Sequence, residues 1–501
     1  MTHLDQMVKL KKSIKKTPKT KVCLLAAGIG TRNVHADEFV KGLLTYKNKA
    51  IISYVIDSFP NKYEIVVAVG HNENLYREFL PLAYPKRVFT FVKIKPYKGK
   101  GSGPGYSLLN CERFLKCNFF LIPSDAYIDP IKKFQNYKHN WIGTGSVLNN
   151  SLSNYCLVEK NSNNNVINFI DKKKDPNNRL KNNVFTGIAF INNYVDFFNG
   201  LRSQEIVNKE KQVSSGLNAL ISKGIKTKYI KTWKDLGTSK LYERFALNDS
   251  NQNLIKRDEK TFIYDKVIIK YYKDYRIVDK KVRRAKLLSP LTPKIGNKFK
   301  NFFSYNKVKG HLLSEEYSNK KFKELLTVSN KTIFKPIIIS EKNKKIFYKE
   351  CLYFYKELTL RRIKEYFKKW PLHSKEFTIN EKKYPNFKTI WNTLPWEDIS
   401  KGIPTNFHGD FQPENIICTK SGFKFIDWRH NFTESLNYGD LYYDLSKLKH
   451  ALIINGQIIR DGRYSIKIYK NDVRLSFDTR SNLLGFDRIL NSFIKKNNYS
   501  N

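Results

Sequence analysis

The chain has little cysteine and no long apolar run. Its six cysteines are scattered over 501 residues without a Cys-x-x-Cys pair, which is typical of a reducing compartment and argues against a disulfide scaffold or a structural zinc site. Apolar runs such as Val22–Ala27 have the length of strands and fall far short of the roughly 18 residues that a membrane span needs. Residues 1–21 are basic but lack the apolar stretch of a signal peptide. The sequence therefore predicts a cytoplasmic protein without membrane insertion.

Acidic residues are also scarce. The chain has 45 Asp and Glu against 91 Lys and Arg, which gives a formal charge of +46. Such a charge is typical of nucleic-acid-binding proteins. However, Lys, Asn, Ile, Tyr and Phe recur throughout the chain, as A- and T-rich codons would produce, and the charge is dispersed. Because no nucleic-acid-binding motif accompanies the charge, we expect no nucleic-acid partner.

The apolar pattern divides the chain into two parts. With 41% hydrophobic residues, the chain can build two or three domains, each with its own core. Strand-like runs, beginning with Lys21–Ala27, alternate with amphipathic segments, and this predicts an α/β domain with a mostly parallel, Rossmann-like sheet. The polar run Asn248–Asn253 interrupts the pattern. We predict a basic leader at 1–20, an α/β domain at 21–248, a linker at 249–260 and a second domain at 261–501.

A turn of small residues follows the first predicted strand. It reads Gly28-Ile29-Gly30-Thr31-Arg32 and lies at the carboxyl edge of the sheet, where α/β proteins bind ligands. Gly28 and Gly30 allow backbone N–H groups to approach phosphates closely, and Arg32 supplies a bidentate positive charge. The turn is therefore a candidate phosphate-binding site.

This turn resembles the signature of the MobA-like nucleotidyltransferases that join nucleotides to sugar and alcohol phosphates. The resemblance implies that an NTP is bound by the following residues: Ala27, Gly28, Gly30, Thr31 and Arg32. It also implies that Lys41, in Val40-Lys41-Gly42-Leu43-Leu44, is the lysine that contacts phosphate, although the family's proline is replaced by Val40. Arg32 and Lys41 are the predicted catalytic cations.

Further segments follow in the order of that family. The resemblance implies nucleobase contacts at Ser102 and Gly103, magnesium ligands at Asp125 and Asp235, and acceptor-phosphate binding by Lys172. The reaction needs such groups, because a phosphate monoester must attack an NTP although both are anions. Taken singly, Asp125 could cap a strand, Asp235 could form a turn, and Lys172 could be a solvated charge. Five matches in one order favour the nucleotidyltransferase.

A second motif lies near the C-terminus. It begins with His408-Gly409-Asp410, places Asn415 five residues after the Asp, and has Asp427 after the apolar run Phe423–Ile426. This spacing is typical of phosphoryl transfer, in which Asp410 deprotonates an acceptor hydroxyl while Asn415 and Asp427 hold metal ions. The motif resembles the choline kinase and aminoglycoside phosphotransferase superfamily. The resemblance implies an α+β, protein-kinase-like phosphotransferase domain that uses ATP and Mg²⁺.

The ATP side of this predicted kinase departs from the family. We predict Lys270, in a β-branched strand, as the ATP-binding lysine, with Asp279 on the next helix as its candidate acidic partner. Residues 251–266 contain no glycine, so no glycine-rich loop precedes Lys270. Two hypotheses remain for this half: an active kinase, or a regulatory or binding module.

Together the two halves predict a bifunctional enzyme. The C-terminal half would phosphorylate a small alcohol or sugar with ATP. The N-terminal half would then transfer a nucleotidyl group to that phosphate from an NTP, which is expected to be CTP or UTP. The product would serve surface polysaccharide or lipid decoration. The acceptor stays open between choline and a sugar, because the aromatic residues near the second motif could either enclose a quaternary ammonium or pack in the core. These residues are Trp428, Tyr438, Tyr442 and Tyr443.

Overall fold

The computed structural model describes residues 20–30, 33, 39–128, 138–147, 149–171, 182–203, 210–247, 258–371 and 376–499. The chain divides into two compact units, Met1–Tyr264 and Asp265–Asn501. Among the described residues, none of the helices combines the length and the apolarity that crossing a bilayer would require.

The N-terminal unit is built on a nine-stranded sheet within the described residues. Its strand Thr20–Ala26 runs parallel to both of its neighbours, Ile65–Val69 and Asn118–Pro123, and Phe89–Lys93 extends the parallel part. Every residue of Ile65–Val69 is buried, as expected for a strand that is covered on both faces. The prediction of a Rossmann-like, mainly parallel α/β sheet is confirmed for this part of the unit.

The rest of the sheet is mixed. Val184–Ile191 pairs antiparallel with Asn118–Pro123 and with Asn140–Gly145. Its first residue also pairs with the strand Cys156–Lys160, which forms a hairpin with Val166–Asp171 at one edge of the sheet. The other strands of the sheet are Cys156–Lys160, Val166–Asp171 and Ile225–Tyr229. Short strands outside it are Thr45–Tyr46, Lys49–Ala50, Ala126–Tyr127, Lys234–Asp235 and Glu259–Ile263.

Amphipathic helices cover the parallel strands. Glu73–Ala83, for example, buries Leu75, Tyr76 and Phe79, because apolar residues spaced three and four apart share one helix face. The α-helices of the unit are Ile51–Asp57, Glu73–Ala83, Pro104–Cys111, Tyr194–Ser203, Ser214–Asn218 and Ser239–Tyr242. The 3-10 turns are Lys41–Leu43, Glu112–Phe114, Asn149–Asn154 and Ile221–Lys223.

The C-terminal unit combines small, mainly antiparallel sheets with helices; Phe377–Ile379 and Asp472–Phe477 pair in parallel. Val267–Tyr272 pairs with Phe302–Asn306, which also pairs with Ile295–Lys298. A hairpin of Ile416–Thr419 and Gly422–Phe425 lies within the second sequence motif, between Asn415 and Asp427. The other strands are His311–Leu312, Phe377–Ile379, Lys382–Tyr384, Pro404–Thr405, Gly439–Asp440, Tyr464–Tyr469 and Asp472–Phe477.

The helices of this unit contain more residues than its strands. Phe322 and Phe486, from two of them, stack in its core with ring centroids 4.4 Å apart. The α-helices are Tyr275–Leu287, Asn319–Lys331, Glu341–Leu352, Leu358–Lys369, Phe387–Thr393, Trp396–Ile399, Leu441–Ile453, Gly456–Arg460 and Ser481–Lys496. The unit is therefore α+β in composition.

The end of the N-terminal unit is anchored by aromatic side chains. Phe262 is fully buried, and its ring centroid lies 4.7 Å from that of Phe79. The Tyr264 hydroxyl lies 2.5 Å from the Ser53 hydroxyl. Most of the predicted linker, 249–260, lies outside the described residues, and the domain limits 21–248 and 261–501 stay predictions.

We expect Phe262→Ala to destabilise the N-terminal unit by about 3 kcal/mol, because it removes a buried aromatic ring. Differential scanning calorimetry of the fragment 1–264 and its variant would measure this loss. Ile263→Ala is the matched control, since Ile263 lies on the same strand and is 37% exposed. Equal losses in both variants would contradict the anchoring role. The fragment 1–250 should likewise melt below the fragment 1–264.

Candidate active sites

The carboxylates of Asp125 and Asp235 meet across Gly237. Asp125 follows the strand Asn118–Pro123, and Asp235 lies on a short strand that pairs with Ala126–Tyr127. A Cβ atom at Gly237 would lie 2.6 Å from Asp125 Oδ2 and 2.9 Å from Asp235 Oδ1. The two oxygens are therefore no farther apart than the sum of these distances. A larger residue at this position would push into the carboxylates.

Hydrogen bonds fix Asp235 in this position. The Gly237 N–H donates to Asp235 Oδ1 at 2.8 Å, and the Tyr155 hydroxyl donates to Oδ2 at 2.6 Å. The Leu236 N–H donates to the Asp125 carbonyl at 3.1 Å, which ties the two segments together. Sequence reasoning missed Tyr155, because it lies 80 positions from Asp235 in a stretch without a motif.

Lys41 joins the same site. Its Nζ lies 3.1 Å from Asp125 Oδ2. Its side chain packs against Gly30, where a Cβ atom would lie 2.5 Å from Lys41 Cε, and Gly30 has a φ of +83°. Both the close approach and the left-handed conformation require glycine here. The structure thus brings Gly30, Lys41, Asp125 and Asp235 together.

The rest of the turn is only partly described. Among the residues that the structure describes, nothing lies within 4 Å of a Cβ atom placed at Gly28, so the backbone there is open to a ligand on their side. The Ala27 carbonyl accepts a hydrogen bond from the His71 N–H at 3.1 Å. The predicted contacts at Thr31, Arg32 and Lys172 lie outside the described residues.

The glycine loop before Pro104 makes internal contacts. The buried Ser102 hydroxyl donates to the Gly99 carbonyl at 2.7 Å, so it is directed into its own turn. Gly103 has a φ of +116°, and a Cβ atom there would lie 2.7 Å from the Lys211 carbonyl. This glycine therefore allows the chain around Lys211 to pack closely, which is a structural role that the sequence did not reveal.

The second site centres on Asp410. Asn415 Nδ2 donates to the Asp410 side chain and to its carbonyl, both at 2.9 Å. Lys447 Nζ lies 2.9 Å from the other carboxylate oxygen of Asp410. Lys447 comes from the helix Leu441–Ile453, and sequence reasoning missed it because no motif surrounds it. Asp410 is thus held from both sides.

Lys270 and Asp427 form an ion pair in the same unit. Lys270 is nearly buried on its strand, with 9% of its side chain exposed. Burial raises the pKa of Asp427, but Lys270, with smaller contributions from Lys281 and His408, holds that pKa below its usual range. Asp427 has a φ of +57°, which is rare for a residue other than glycine and is often found at functional sites.

Asp279, the candidate partner of Lys270, does not pair with it. Its carboxylate is 58% exposed and pairs with Lys298. The helix Tyr275–Leu287 instead buries Lys281 and Arg284. The prediction was wrong because Lys and Arg on a helix usually mark its solvent-exposed face, whereas here the face with Lys281 and Arg284 is the buried one.

A buried carboxylate holds the loop that carries Asp410. Asp444 accepts hydrogen bonds from the His408 N–H and, at 2.6 Å, from the Gly409 N–H. The Arg284 guanidinium donates to the Asn406 carbonyl at 3.2 Å and to the Phe407 carbonyl. Burial raises the pKa of Asp444 to about 7 and lowers the pKa of Arg284 to about 10.

His408 is buried within this loop. Its Nδ1 accepts a hydrogen bond from the Asp410 N–H at 3.3 Å. Burial lowers the pKa of His408 to about 4, so the ring is neutral at physiological pH. The ring therefore acts as a spacer that orients the backbone at Asp410.

Solved structures with a similar N-terminal half are sugar-phosphate nucleotidyltransferases. UDP-glucose pyrophosphorylase complexed with UDP-glucose is 18% identical, with 46% of this chain and 98% of that chain covered and a TM-score of 0.39. A putative glucose-1-phosphate thymidylyltransferase from Bacillus anthracis is 18% identical, with 48% and 98% covered and a TM-score of 0.39. Apo UDP-glucose pyrophosphorylase is 17% identical, with 47% and 100% covered and a TM-score of 0.40.

No known family model matches the chain, and no curated protein matches it. At these identities and TM-scores, the likeness to solved structures adds nothing to the topology described above. The side-chain contacts of the two sites are therefore the observations that bear on function.

We expect buried His408 to contribute a loss of stability to the C-terminal unit as the pH falls from about 6.5 to 4, because the unfolded chain then binds a proton that the buried ring does not. The raised pKa of Asp444 acts in the opposite direction, so the contribution of His408 is the difference between the wild type and His408→Gln. The contribution of this group is about 3 kcal/mol over that range. Urea unfolding of the fragment 265–501 at pH 7 and pH 5 would measure it. In His408→Gln the loss between these pH values should be smaller, and an unchanged pH dependence would contradict the assignment.

Proposed function

We propose that the chain is a bifunctional enzyme that phosphorylates a small hydroxyl compound and then transfers a nucleotidyl group to the new phosphate. The observation that carries the nucleotidyltransferase is the meeting of Asp125 and Asp235 across Gly237, with Lys41 in contact. The kinase rests on Asp410, held between Asn415 and Lys447. The product would be an activated precursor for surface polysaccharide or lipid decoration, made in the cytoplasm.

In the nucleotidyl transfer, an oxygen of the acceptor's phosphate attacks the α-phosphorus of the NTP, which we propose to be CTP or UTP. A new phosphorus–oxygen bond forms, the bond from the α-phosphorus to the oxygen bridging to the β-phosphorus breaks, and pyrophosphate leaves with the electron pair. Lys41 and Arg32 offset the repulsion between the two anions. The open backbone at Gly28 accepts the NTP phosphates, Ser102 and Gly103 line the base side, and Lys172 binds the acceptor's phosphate.

The carboxylates of this site fit Mg²⁺. Asp125 and Asp235 each present an oxygen towards the same point beside Gly237, and Mg²⁺ prefers oxygen ligands. In the C-terminal unit, the amide oxygen of Asn415 and the carboxylate of Asp427 are also oxygen ligands that suit Mg²⁺. When bound, Mg²⁺ would neutralise negative charge on the phosphates.

In the phosphoryl transfer, the acceptor's hydroxyl oxygen attacks the γ-phosphorus of ATP. The bond from the γ-phosphorus to the oxygen bridging to the β-phosphorus breaks, ADP leaves, and the hydroxyl proton passes to Asp410. Lys270, fixed by Asp427, is placed to bind the ATP phosphates, and Asp427 would hold Mg²⁺ when that ion is bound.

A second candidate function for the C-terminal unit is a regulatory or binding module. One observation favours it: the residues before Lys270, 251–266, contain no glycine to close a loop over the phosphates. The complete motif favours catalysis instead, because a module that only binds ligands does not need Asp410, Asn415 and Asp427 together.

We expect Asp125→Ala and Asp235→Ala each to lower pyrophosphate release by at least about a hundredfold, because each removes a ligand of Mg²⁺. A coupled pyrophosphate assay with each NTP and a panel of sugar phosphates and phosphocholine would measure this. Asp196→Ala is the matched control, since Asp196 lies in the helix Tyr194–Ser203, away from the site. Near-normal transfer with unchanged Mg²⁺ dependence in either Asp variant would refute the assignment of that residue.

The kinase should act before the nucleotidyltransferase, since only a phosphate monoester can attack the NTP. We expect Asp410→Ala to form no nucleotide-linked product from the unphosphorylated acceptor, yet to form it from the phosphorylated acceptor. Asp125→Ala should consume ATP and accumulate the phosphorylated acceptor. Chromatography of the products, with the two variants alone and mixed, would test this.

Mixing Asp410→Ala with Asp125→Ala tests whether the two activities reside in separate units. The two variants should complement each other, because their lesions lie in different units. If the wild type never phosphorylates an acceptor, the hypothesis that the C-terminal unit is a regulatory or binding module is favoured. If Asp410→Ala loses activity on the phosphorylated acceptor while folded, the proposed division of labour is wrong.

A further inference from the structure

The aromatic residues that could enclose a quaternary ammonium are largely committed to the core. Trp428 is 1% exposed, and its indole N–H donates to the Lys281 carbonyl at 2.9 Å. Tyr438 packs edge-on against Phe347, with ring centroids 5.7 Å apart. These contacts give Trp428 and Tyr438 a role in the packing of the C-terminal unit.

A cation of the protein itself already lies on the aromatic surface near Asp410. The guanidinium carbon of Arg429 lies 5.0 Å from the ring centroid of Phe354 and 5.8 Å from that of Tyr443. Arg429 Nη1 donates to the Tyr443 hydroxyl at 3.3 Å, and Nε donates to the Asn431 carbonyl at 2.9 Å. Within the described part of the chain, Arg429 pairs with these neutral oxygens and with no carboxylate. Its charge therefore remains available to an anion.

The fold places Arg429 directly beside the proposed base. Its N–H donates to the His408 carbonyl at 2.8 Å. Its side chain covers Gly409, where a Cβ atom would lie 2.4 Å from Arg429 Cβ, and Gly409 directly precedes Asp410. The stem of Arg429 thus leaves the backbone next to the residue that would receive the acceptor's proton.

Lys447 adds a second cation on the same side. Tyr443, which holds the guanidinium of Arg429, and Lys447 lie four residues apart on the helix Leu441–Ile453 and so share one face. Lys447 Nζ contacts Asp410 Oδ1, and both side chains are about one-third exposed. The acceptor side of Asp410 therefore carries two fixed positive charges that a ligand can reach.

We infer that the acceptor of the C-terminal unit is an anionic hydroxyl compound, whose carboxylate or phosphate is bound by Arg429 and Lys447. This inference rests on the proposed kinase function and selects among its acceptors. A guanidinium presents paired donors that match a carboxylate or a phosphate, and its aromatic neighbours hold it in place. When the acceptor's hydroxyl takes the place of Lys447 at Asp410, the anionic group gives that lysine a new partner. A quaternary ammonium alcohol would instead meet two like charges.

The test uses the full chain with ATP and Mg²⁺ and compares acceptors in matched pairs. D-glycerate and glycerol differ in one carboxylate, and choline and 3,3-dimethylbutan-1-ol have the same shape but differ in charge. ADP release and the phosphorylated products would be measured. We expect glycerate to exceed glycerol in kcat/KM by at least about tenfold, as one charge-assisted hydrogen bond provides, and choline to fall below its neutral counterpart.

Arg429→Gln keeps a hydrogen-bonding side chain but removes the charge. We expect it to lower the preference for glycerate over glycerol by about tenfold, the loss of one charge-assisted pair, while Lys447 keeps any remaining preference. Arg463→Gln is the matched control, because Arg463 is an exposed arginine that pairs with Asp478. It should keep the preference, whereas an equal reduction in both variants would show a general effect of net charge and overturn the inference.

Binding separates this inference from the kinase proposal. Isothermal titration of D-glycerate into the wild type and Arg429→Gln, both with the full chain, needs no catalysis. If glycerate binds the wild type at least about tenfold more tightly than the variant but nothing is phosphorylated, the kinase proposal fails and the anion site stands. If glycerate binds both alike, or if choline is a better substrate than its neutral counterpart, the anion site is wrong.

Discussion

The parallel pairing of Thr20–Ala26 with strands on both sides is the constraint on which the N-terminal site depends. Parallel strands end at the same edge of a sheet, so the turn after Ala26 and the segment after Pro123 must lie side by side. The Ser124 N–H donates to the Leu25 carbonyl at 3.1 Å, which fixes that approach. Asp125 follows directly, and its position near Gly30 and Lys41 is a consequence of the sheet.

In the C-terminal unit the corresponding constraint is a buried charge. Asp444 holds two successive backbone N–H groups just before Asp410, and Arg284 holds carbonyls of the same loop. Such buried charges are costly when they lose a partner. The loop that carries Asp410 is therefore kept in one conformation by groups that themselves take no part in the proposed chemistry.

The two units share one electrostatic arrangement. In each, a lysine pairs with a carboxylate that we propose for catalysis: Lys41 with Asp125, Lys270 with Asp427 and Lys447 with Asp410. Each pair keeps a carboxylate compensated without a ligand. In the proposed reactions the lysines would bind phosphates and the carboxylates would hold Mg²⁺, so the sites would require little new charge burial. This arrangement suits substrates that are anions, in agreement with the inferred acceptor.

Local sequence determined the glycine turn, the positions of the parallel strands along the chain, and the spacing of Asp410, Asn415 and Asp427, because these features depend on residues near one another in the chain. Tertiary structure alone decided which distant side chains complete the sites. Tyr155 reaches Asp235 and Lys447 reaches Asp410 across long separations, and no local pattern marks either residue. The helix after Lys270 shows the same limit: the sheet it packs against turns Lys281 inward and leaves Asp279 at the surface, a choice that packing makes and periodicity does not.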